Sequence, residues 1–306
     1  MSFHLVNATT RRHFIRETIG SLSVLSAGSL SAETGFSDWA FTADAHIDAN
    51  VSYTARGANM TGNFRSVAAQ VLAEPAPVSG LFLTGDCAYT QGLPGDYAQL
   101  RTLLEPLRKA NLEVHLVLGN HDHRDNFRQV FGSLDADRGP VPGKHLTVVR
   151  TPLVNWFLLD SLQEVNKVTG TLGEAQLSWL GSVLDQFPDQ PAVLLGHHNP
   201  QAAPVMSRDG RLQYTGLSDT SAFFDLIHRK PQVQAYVFGH THDWKVSKSD
   251  RGLHLINLPP TAYVFHPSRP NGWLRAQVDR QGFNIELRAL NPAHPEHGQK
   301  HALAWR

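Results

Sequence analysis

Short apolar runs alternate along the chain with stretches in which apolar residues recur every three or four positions. Runs of strand length, rich in Val, Leu, Phe or Tyr, predict buried β-strands at Trp39–Ala43, Gly80–Thr84, Glu113–Leu118, Ala192–Leu195 and Gln234–Phe238. Helical spacing of the apolar residues predicts amphipathic helices over residues 64–72, 97–107, 177–184 and 223–227. A kink or stop is expected at Pro106 in the second of these. Alternation of the two kinds of element indicates an α/β fold.

A second group of apolar runs predicts further strands, some of them paired antiparallel in a second sheet. These runs are Val148–Arg150, Trp156–Asp160, Leu253–Asn257, Trp273–Val278 and Phe283–Arg288. Stretches rich in Pro and Gly predict surface loops at 139–144, 199–210 and 266–272. The tail from Asn291 onward is polar and is expected to be weakly structured.

Composition excludes several functional classes. The 306 residues are 41% hydrophobic, with 27 Lys and Arg against 27 Asp and Glu, so the charge balance gives no footprint for a nucleic-acid polymer or an anionic membrane. No uncharged apolar run reaches the roughly 18 residues of a membrane-spanning helix. The single cysteine, Cys87, excludes an internal disulfide, a zinc ribbon and an iron–sulfur site. The 17 histidines are the unusual feature, because histidine is the commonest metal ligand.

The amino-terminal segment resembles a twin-arginine (Tat) signal peptide. Arg11-Arg12 precede a large apolar residue, and a mildly apolar, Ser-rich stretch follows from Ile19 to Ala32. The alternative is a disordered tail with a chance pair of arginines. The resemblance implies a signal at residues 1–32, recognition by the Tat export machinery, and a single mature domain over residues 33–306 that is periplasmic or extracellular.

Every one of the first five predicted strands ends directly in residues that carry chemistry. The clusters are Asp44-Ala45-His46, Gly85-Asp86-Cys87, Gly119-Asn120-His121-Asp122, Gly196-His197-His198 and Gly239-His240-Thr241-His242. Because residues i and i+2 of a strand face the same way, Asp44 and His46 are expected to point at one centre, as are His240 and His242. Ligands of open α/β sheets bind at the carboxyl ends of the strands. The spacing therefore predicts one shared site.

One such cluster alone is a weak signal, but all of them in this order, each after an apolar strand, are specific. The series resembles the calcineurin-like metallophosphoesterase family and, within it, the bacterial class III cyclic-nucleotide phosphodiesterases. The resemblance extends from Trp39 to about Leu290 and implies a layered α/β/β/α sandwich. The family often has His-His-Pro where this chain has His197-His198-Asn199-Pro200, and His197 is favoured as the ligand because it directly follows the strand and Gly196.

The resemblance implies a site for two metal ions. One ion would take Asp44, His46 and His242, and the second would take Asn120, His197 and His240, with Asp86 between them. Ligand sets that mix carboxylate, amide and imidazole suit Fe, Mn or Zn. Two divalent ions, two carboxylates and a hydroxide leave one positive charge, which favours an anionic substrate.

The chemistry implied is hydrolysis of a small phosphate ester by a hydroxide that bridges the two metals. His121 is expected to assist the leaving group rather than bind a metal, and Asp122 to orient it. His123, Arg124 and His198 are weaker candidates for contact with the substrate. The preferred prediction is a phosphodiesterase, with cyclic nucleotides among its substrates. The alternatives are a phosphomonoesterase on the same scaffold and a metal-free interaction module.

Overall fold

A computed structural model describes residues 5–7, 35–132, 140–207 and 209–306. The Arg11-Arg12 pair and almost all of the proposed signal segment lie outside these residues. In the part of the chain that the structure describes, no helix is long and apolar enough to cross a membrane.

Strands and helices follow the predicted alternation. The strands, numbered along the chain, are β1 (Leu5–Asn7), β2 (Phe36–Thr42), β3 (Thr54–Ala55), β4 (Ala58–Asn59), β5 (Gly80–Thr84), β6 (Glu113–Val117), β7 (Thr147–Arg150), β8 (Asn155–Leu158), β9 (Ala192–Leu195), β10 (Val205–Met206), β11 (Leu212–Gln213), β12 (Val233–Phe238), β13 (Lys245–Lys248), β14 (His254–Asn257), β15 (Gly272–Asp279), β16 (Gly282–Ala289) and β17 (Lys300–Ala304). The helices are α1 (Met60–Leu72), α2 (Pro94–Lys109), α3 (Arg124–Phe131), α4 (Glu174–Leu184) and α5 (Thr220–Ile227).

Two large sheets form the centre of the molecule. One has seven strands in the order β1-β7-β8-β9-β12-β14-β13, and the other has six in the order β17-β16-β15-β2-β5-β6. The strands β2, β5 and β6 run parallel to one another, as do β8, β9, β12 and β14. Parallel strands end at the same edge, so the polar clusters that follow β2, β5, β6, β9 and β12 are brought to one side of the molecule.

The sheets pack face to face and carry helices on their outer faces. The Trp156 ring of β8 lies 5.2 Å from the Trp39 ring and 5.7 Å from the Phe41 ring of β2, measured between ring centroids. Phe64 of α1 and Tyr97 of α2 pack with the outer face of the six-stranded sheet. The outer face of the seven-stranded sheet packs with α4 and α5. The predicted α/β/β/α sandwich is therefore confirmed.

The expectations of a helix end at Pro106 and of a weakly structured tail were wrong, whereas a kink at Pro106 stays a prediction. Helix α2 runs through Pro106 to Lys109, and Leu107 beyond the proline is fully buried, so packing outweighs the one backbone hydrogen bond that proline removes. The tail is also structured, because β17 pairs antiparallel with β16 and buries Leu303 in the core between the sheets.

Candidate metal centre

Seven polar side chains meet where the loops after β2, β5, β6, β9 and β12 converge. All are buried except His240, which is half-buried, and they are Asp44, His46, Asp86, Asn120, His197, His240 and His242. Backbone contacts tie the loops together, since the Asp44 N–H donates to the Gly85 carbonyl and the His240 N–H donates to the Asp44 carboxylate. Both sheets thus contribute to a single cluster.

The first half of the cluster consists of Asp44, His46 and His242. The Nε2 atoms of the two imidazoles lie 3.0 Å apart, and Nε2 of His242 lies 3.5 Å from Oδ1 of Asp44. Each ring has its other nitrogen on a backbone carbonyl: Nδ1 of His46 lies 2.9 Å from Tyr89 O, and Nδ1 of His242 lies 2.6 Å from Tyr263 O. These carbonyls fix the tautomer, so Nε2 of each ring presents a lone pair to the centre.

The second half consists of Asn120, His197 and His240. Nε2 of His197 lies 3.2 Å from Oδ1 of Asn120 and 3.2 Å from Nδ1 of His240. In these two rings as well, the nitrogen that faces away from the centre is hydrogen-bonded to a backbone carbonyl. Nδ1 of His197 lies 2.9 Å from Thr84 O, and Nε2 of His240 lies 2.5 Å from Thr215 O. Holding a ligand imidazole by its second nitrogen is typical of metal sites.

Asp86 lies between the two halves. Its Oδ2 is 3.6 Å from Nε2 of His46, and its Oδ1 is 3.4 Å from Nε2 of His197. Oδ1 also accepts a hydrogen bond from the His121 backbone N–H at 2.9 Å, which fixes the carboxylate in this position. A carboxylate placed this way can serve an ion in each half.

The donor set fits metal ions. Two imidazole nitrogens with lone pairs 3.0 Å apart, as in His46 and His242, are well placed to bind one cation together. Burial lowers the pKa of His46 to about 4 and lowers that of His242 below its usual range, so both rings are neutral, as metal ligation requires. Within the described residues, four groups of three His or Asp side chains have ligand atoms within 4.8 Å of one another, and all of them belong to this cluster or border it.

The pKa values of the two carboxylates are shifted in opposite directions. Burial raises the pKa of Asp44 to about 7. Burial also raises the pKa of Asp86, but the combined attraction of His197, His121 and His46 outweighs it and holds that pKa well below the usual range. Burial lowers the pKa of His197, whereas Asp86 raises it, to about 9. Asp86 is therefore an anion that attracts positive charge to the middle of the cluster, where a metal ion would supply it.

The backbone of the cluster differs from the expected extended strand. Asp44, His46, Asp86, His240 and His242 all have φ between 47° and 71°, although few non-glycine residues adopt this left-handed conformation. The loops beyond the strand ends, rather than the i, i+2 pattern of a strand, aim these side chains. Such strained residues persist where the surrounding structure holds them, and they concentrate at functional sites.

Glycine is required where the loops touch. A Cβ on Gly119 would lie 2.2 Å from Oδ1 of Asp86, and one on Gly239 would lie 2.4 Å from Oδ2 of Asp44. Gly85, with φ +89°, would bring a Cβ within 2.4 Å of Nδ1 of His197. The glycines that precede the polar residues thus leave room for the ligand side chains.

The predicted pairing of His121 with Asp122 is wrong. The Asp122 carboxylate accepts hydrogen bonds from the backbone N–H groups of Gly119, Cys87 and Ala88 at 2.8, 3.1 and 3.0 Å. The Tyr97 hydroxyl adds a fourth at 3.0 Å. Each carboxylate oxygen of Asp122 thus accepts two hydrogen bonds. Asp122 therefore ties together the loops that carry Asp86 and Asn120. The half-buried His121 instead places Nδ1 3.1 Å from Thr90 O.

Replacing Asp122 with asparagine is expected to lower the free energy of unfolding by about 2–3 kcal/mol, because the amide NH2 would face backbone N–H donors and a charged acceptor would be lost. Thermal or urea unfolding measures this effect. The comparison is Tyr97→Phe, which removes one donor to Asp122 and the acceptor of the His123 N–H, and it should cost about 1–2 kcal/mol. Unchanged stability of the Asp122→Asn variant would contradict the assigned role.

His123 and Arg124 have structural roles in the described part of the chain, and their contact with a substrate stays a prediction. His123 is the N-cap of α3, and its Nδ1 accepts from the Asn126 N–H. The Arg124 guanidinium forms a bidentate ion pair with the buried Asp160, with N–O distances of 2.7 and 2.8 Å. A side chain held in this way braces α3 against the loop after β8.

His198 lies beside the second half of the cluster, and its contact with a substrate stays a prediction. Its side chain is fully buried, and Nδ1 lies 2.7 Å from Oγ of Ser161. Nε2 has no hydrogen-bond partner among the described residues, and one of the two ring nitrogens lies within 4.8 Å of ligand atoms of His197 and His240. His197, by contrast, faces Asp86 and Asn120, as the sequence favoured.

Sequence patterns did not reveal the carbonyl acceptors of the cluster. Thr84, Tyr89, Thr215 and Tyr263 act through backbone oxygen, so their side-chain type carries no signal. The segment 259–262 also lies at the site, because the Ala262 N–H donates to the Asp44 carbonyl.

The sandwich and the cluster of His, Asp and Asn define a class of metal-dependent phosphoester hydrolase. A family model described as calcineurin-like phosphoesterase matches residues 39–244, more than half of the chain, and the chain belongs to this family. It is a family of enzymes with two metal ions.

Relatives of known name cover most of the domain. A probable cyclic nucleotide phosphodiesterase from Synechococcus sp. (strain WH7803) is 30% identical over 74% of this chain and 83% of its own length. The 3',5'-cyclic adenosine monophosphate phosphodiesterase CpdA of Vibrio vulnificus is 27% identical over 73% of this chain and 76% of its own.

Solved structures share the fold. A dimetal phosphatase from Danio rerio superposes with a TM-score of 0.65 at 14% identity, covering 88% of this chain and 99% of its own. A purple acid phosphatase from yellow lupin gives a TM-score of 0.61 at 13% identity, covering 88% of this chain and 54% of its own.

Proposed function

We propose that this protein hydrolyses small phosphodiesters, cyclic nucleotides among them, with two ions drawn from Fe, Mn or Zn. The observation that carries the proposal is the position of Asp86 between two half-sites, with each oxygen turned toward one of them. The names of the relatives, cyclic nucleotide phosphodiesterases, support the substrate class.

The proposed ligands are the side chains of the two half-sites. Asp44, His46 and His242 hold one ion, and Asn120, His197 and His240 hold the other, with Asp86 shared. When bound, two such ions supply a hydroxide nucleophile at neutral pH and neutralise charge on the phosphate. Neutral imidazole and amide ligands outnumber the two carboxylates. Two divalent ions, two carboxylates and one hydroxide together leave a single positive charge. This charge matches the one negative charge of a diester better than the two of a monoester.

We infer that His121 is the residue that donates a proton to the leaving oxygen. Its ring is half-buried and lies 5.3 Å from the ring of His46, measured between centroids, so it borders the first half-site. Nδ1 lies 3.1 Å from the Thr90 carbonyl oxygen, so Nε2 is the nitrogen that can meet a substrate, and it gives up a proton when the ring is protonated on both nitrogens. The His121 backbone N–H is bound to Asp86, so the ring is held at a fixed position relative to the proposed ligand.

A substrate panel with metal reconstitution tests the proposal. The panel compares cyclic nucleotides, glycerophosphodiesters, aryl diesters and aryl monoesters, after removal of metal and addition of Fe, Mn or Zn. We expect kcat/KM for diesters to exceed that for the monoester by about tenfold or more, since roughly 1.4 kcal/mol of charge matching corresponds to that factor. Faster hydrolysis of the monoester would favour the phosphomonoesterase alternative, and no activity with any metal would favour an interaction module.

We also propose that the protein is exported by the Tat machinery, on the basis of the sequence of its first 32 residues, with the mature chain beginning near Glu33. Changing Arg11 and Arg12 to lysine together is expected to trap the precursor in the cytoplasm, because the arginine pair is read by a receptor. Cell fractionation and the mass of the retained chain measure this. Normal export of the double variant would contradict the proposal.

A further inference from the structure

A cation and an exposed aromatic ring flank the first half-site and have no part in holding the metals. Phe265 has 55% of its surface exposed, and its ring stacks on the proposed ligand His242 at 4.3 Å between centroids. Tyr263 stacks on His46 at 5.2 Å. The Arg56 guanidinium lies 4.9 Å from the Phe265 ring centroid and 5.7 Å from that of Tyr263. We call Arg56, Tyr263 and Phe265 the aromatic wall.

Arg56 reaches the wall from a strained position. Strands β3 and β4 pair as a hairpin in which Ala55 opposes Ala58, so Arg56 and Gly57 form a two-residue loop. Both have positive φ, 50° and 80°, which is the pattern of a type I′ turn. That turn prefers Asn, Asp or Gly at the first position, and a long side chain there is unfavourable. An arginine that bears this cost at the rim of the site suggests a binding role.

The wall also stands beside the group proposed to act on the leaving oxygen. His46 contacts both the wall, through Tyr263, and His121, whose ring centroid lies 5.3 Å from its own. A substrate group attached to the phosphate on this side would therefore meet Phe265 and Arg56. Aromatic rings and the flat guanidinium group both stack on aromatic ligands.

We propose that Arg56 and Phe265 form a subsite that binds a flat aromatic group of the substrate, such as an aryl ring or a nucleobase, by stacking. The proposal rests on the proposed phosphodiesterase function and names the part of the substrate that this wall selects. The ions held by the metal ligands would bind the phosphate, whereas the wall discriminates between aromatic and small aliphatic esters.

The test compares two stable phosphonates that differ only in the group on phosphorus. The phosphonates are the O-methyl monoesters of phenylphosphonic and methylphosphonic acid, which are monoanions like a phosphodiester and are called phenylphosphonate and methylphosphonate below. Their binding to the metal-loaded protein is measured by calorimetry, for the wild type and for the Arg56→Asn and Phe265→Leu variants. The wild type is expected to bind phenylphosphonate about tenfold more tightly, as one stacking contact would give. Each variant should lose most of this preference, with unchanged affinity for methylphosphonate and unchanged metal content.

Two controls separate the subsite from general damage. Arg56→Asn should melt at the same temperature as the wild type or higher, because asparagine suits the turn. Arg108→Ala removes a similar cation–π contact, with Phe131, that is remote from the cluster, and it should keep the full preference. Equal binding of both phosphonates by the wild type, or a preference that survives in both wall variants, would overturn the subsite. Failure of both phosphonates to bind would instead contradict the proposed phosphoester site.

Discussion

Asp86→Asn is expected to abolish activity, with a loss on the order of 10³-fold or more, and to leave the protein with less than one metal ion per chain. The oxygens of Asp86 are turned to both half-sites, 3.6 Å from His46 and 3.4 Å from His197. An amide supplies one neutral oxygen instead of two that share a negative charge, so both ions would be weakened together. Loss of the ions removes the nucleophile and the charge stabilisation at once.

The comparison with single ligands makes the prediction specific. Alanine at His240 or at His242 removes one ligand from one half-site, and each change should cost less activity and less metal than Asp86→Asn. Asp185→Asn is the matched control, because Asp185 is an exposed acid paired with Lys230 and remote from the cluster. Elemental analysis and kcat/KM are measured on the same preparations. Two tightly held ions with substantial activity in Asp86→Asn would contradict the bridging role.

His121→Ala is expected to keep both metal ions and to lose activity in proportion to the basicity of the leaving group. A general acid typically contributes about 10²–10⁴-fold, and that full loss should appear with a ribose or glycerol alkoxide. An aryl oxide leaves without a proton, so the loss with an aryl diester should be modest. The measurement is kcat on a series of diesters with leaving groups of graded pKa.

Two outcomes would reject this role for His121. Equal losses on aryl and alkyl diesters would leave the residue as a contact for the phosphate alone. Loss of metal would make His121 a ligand, a possibility that its grouping with His46 and Asp86 raises. Asp122→Asn serves as the comparison, because Asp122 lies next in sequence but holds backbone N–H groups, so its loss should affect stability more than the leaving-group dependence.

Much of the fold could be predicted because its strands are short, apolar and buried on both faces. Residues 80–84 and 192–195 coincide with observed strands, and the polar clusters after them meet as expected. The terminal strand Lys300–Ala304 could not be recognised, since of its residues only Leu303 is buried and its pairing with β16 is a matter of tertiary contact.

The sequence identifies the proposed ligand residues better than it identifies the groups that surround them. The motifs identify His121 and Asp122 as neighbours, but the backbone turns between them, and the partners of Asp122 come from Cys87, Ala88 and Tyr97. The wall residue Phe265 gave no signal, because an isolated aromatic residue in a loop has many explanations. Long-range contacts of this kind are set by how loops from two sheets meet.

The most direct measurement of the central claim is anomalous X-ray scattering from crystals of the protein loaded with Mn or Zn. The account predicts two ions about 3.5–4 Å apart. One should lie against Asp44, His46 and His242, the other against Asn120, His197 and His240, with Asp86 touching both. A single ion, or ions bound elsewhere with Asp86 unliganded, would contradict it.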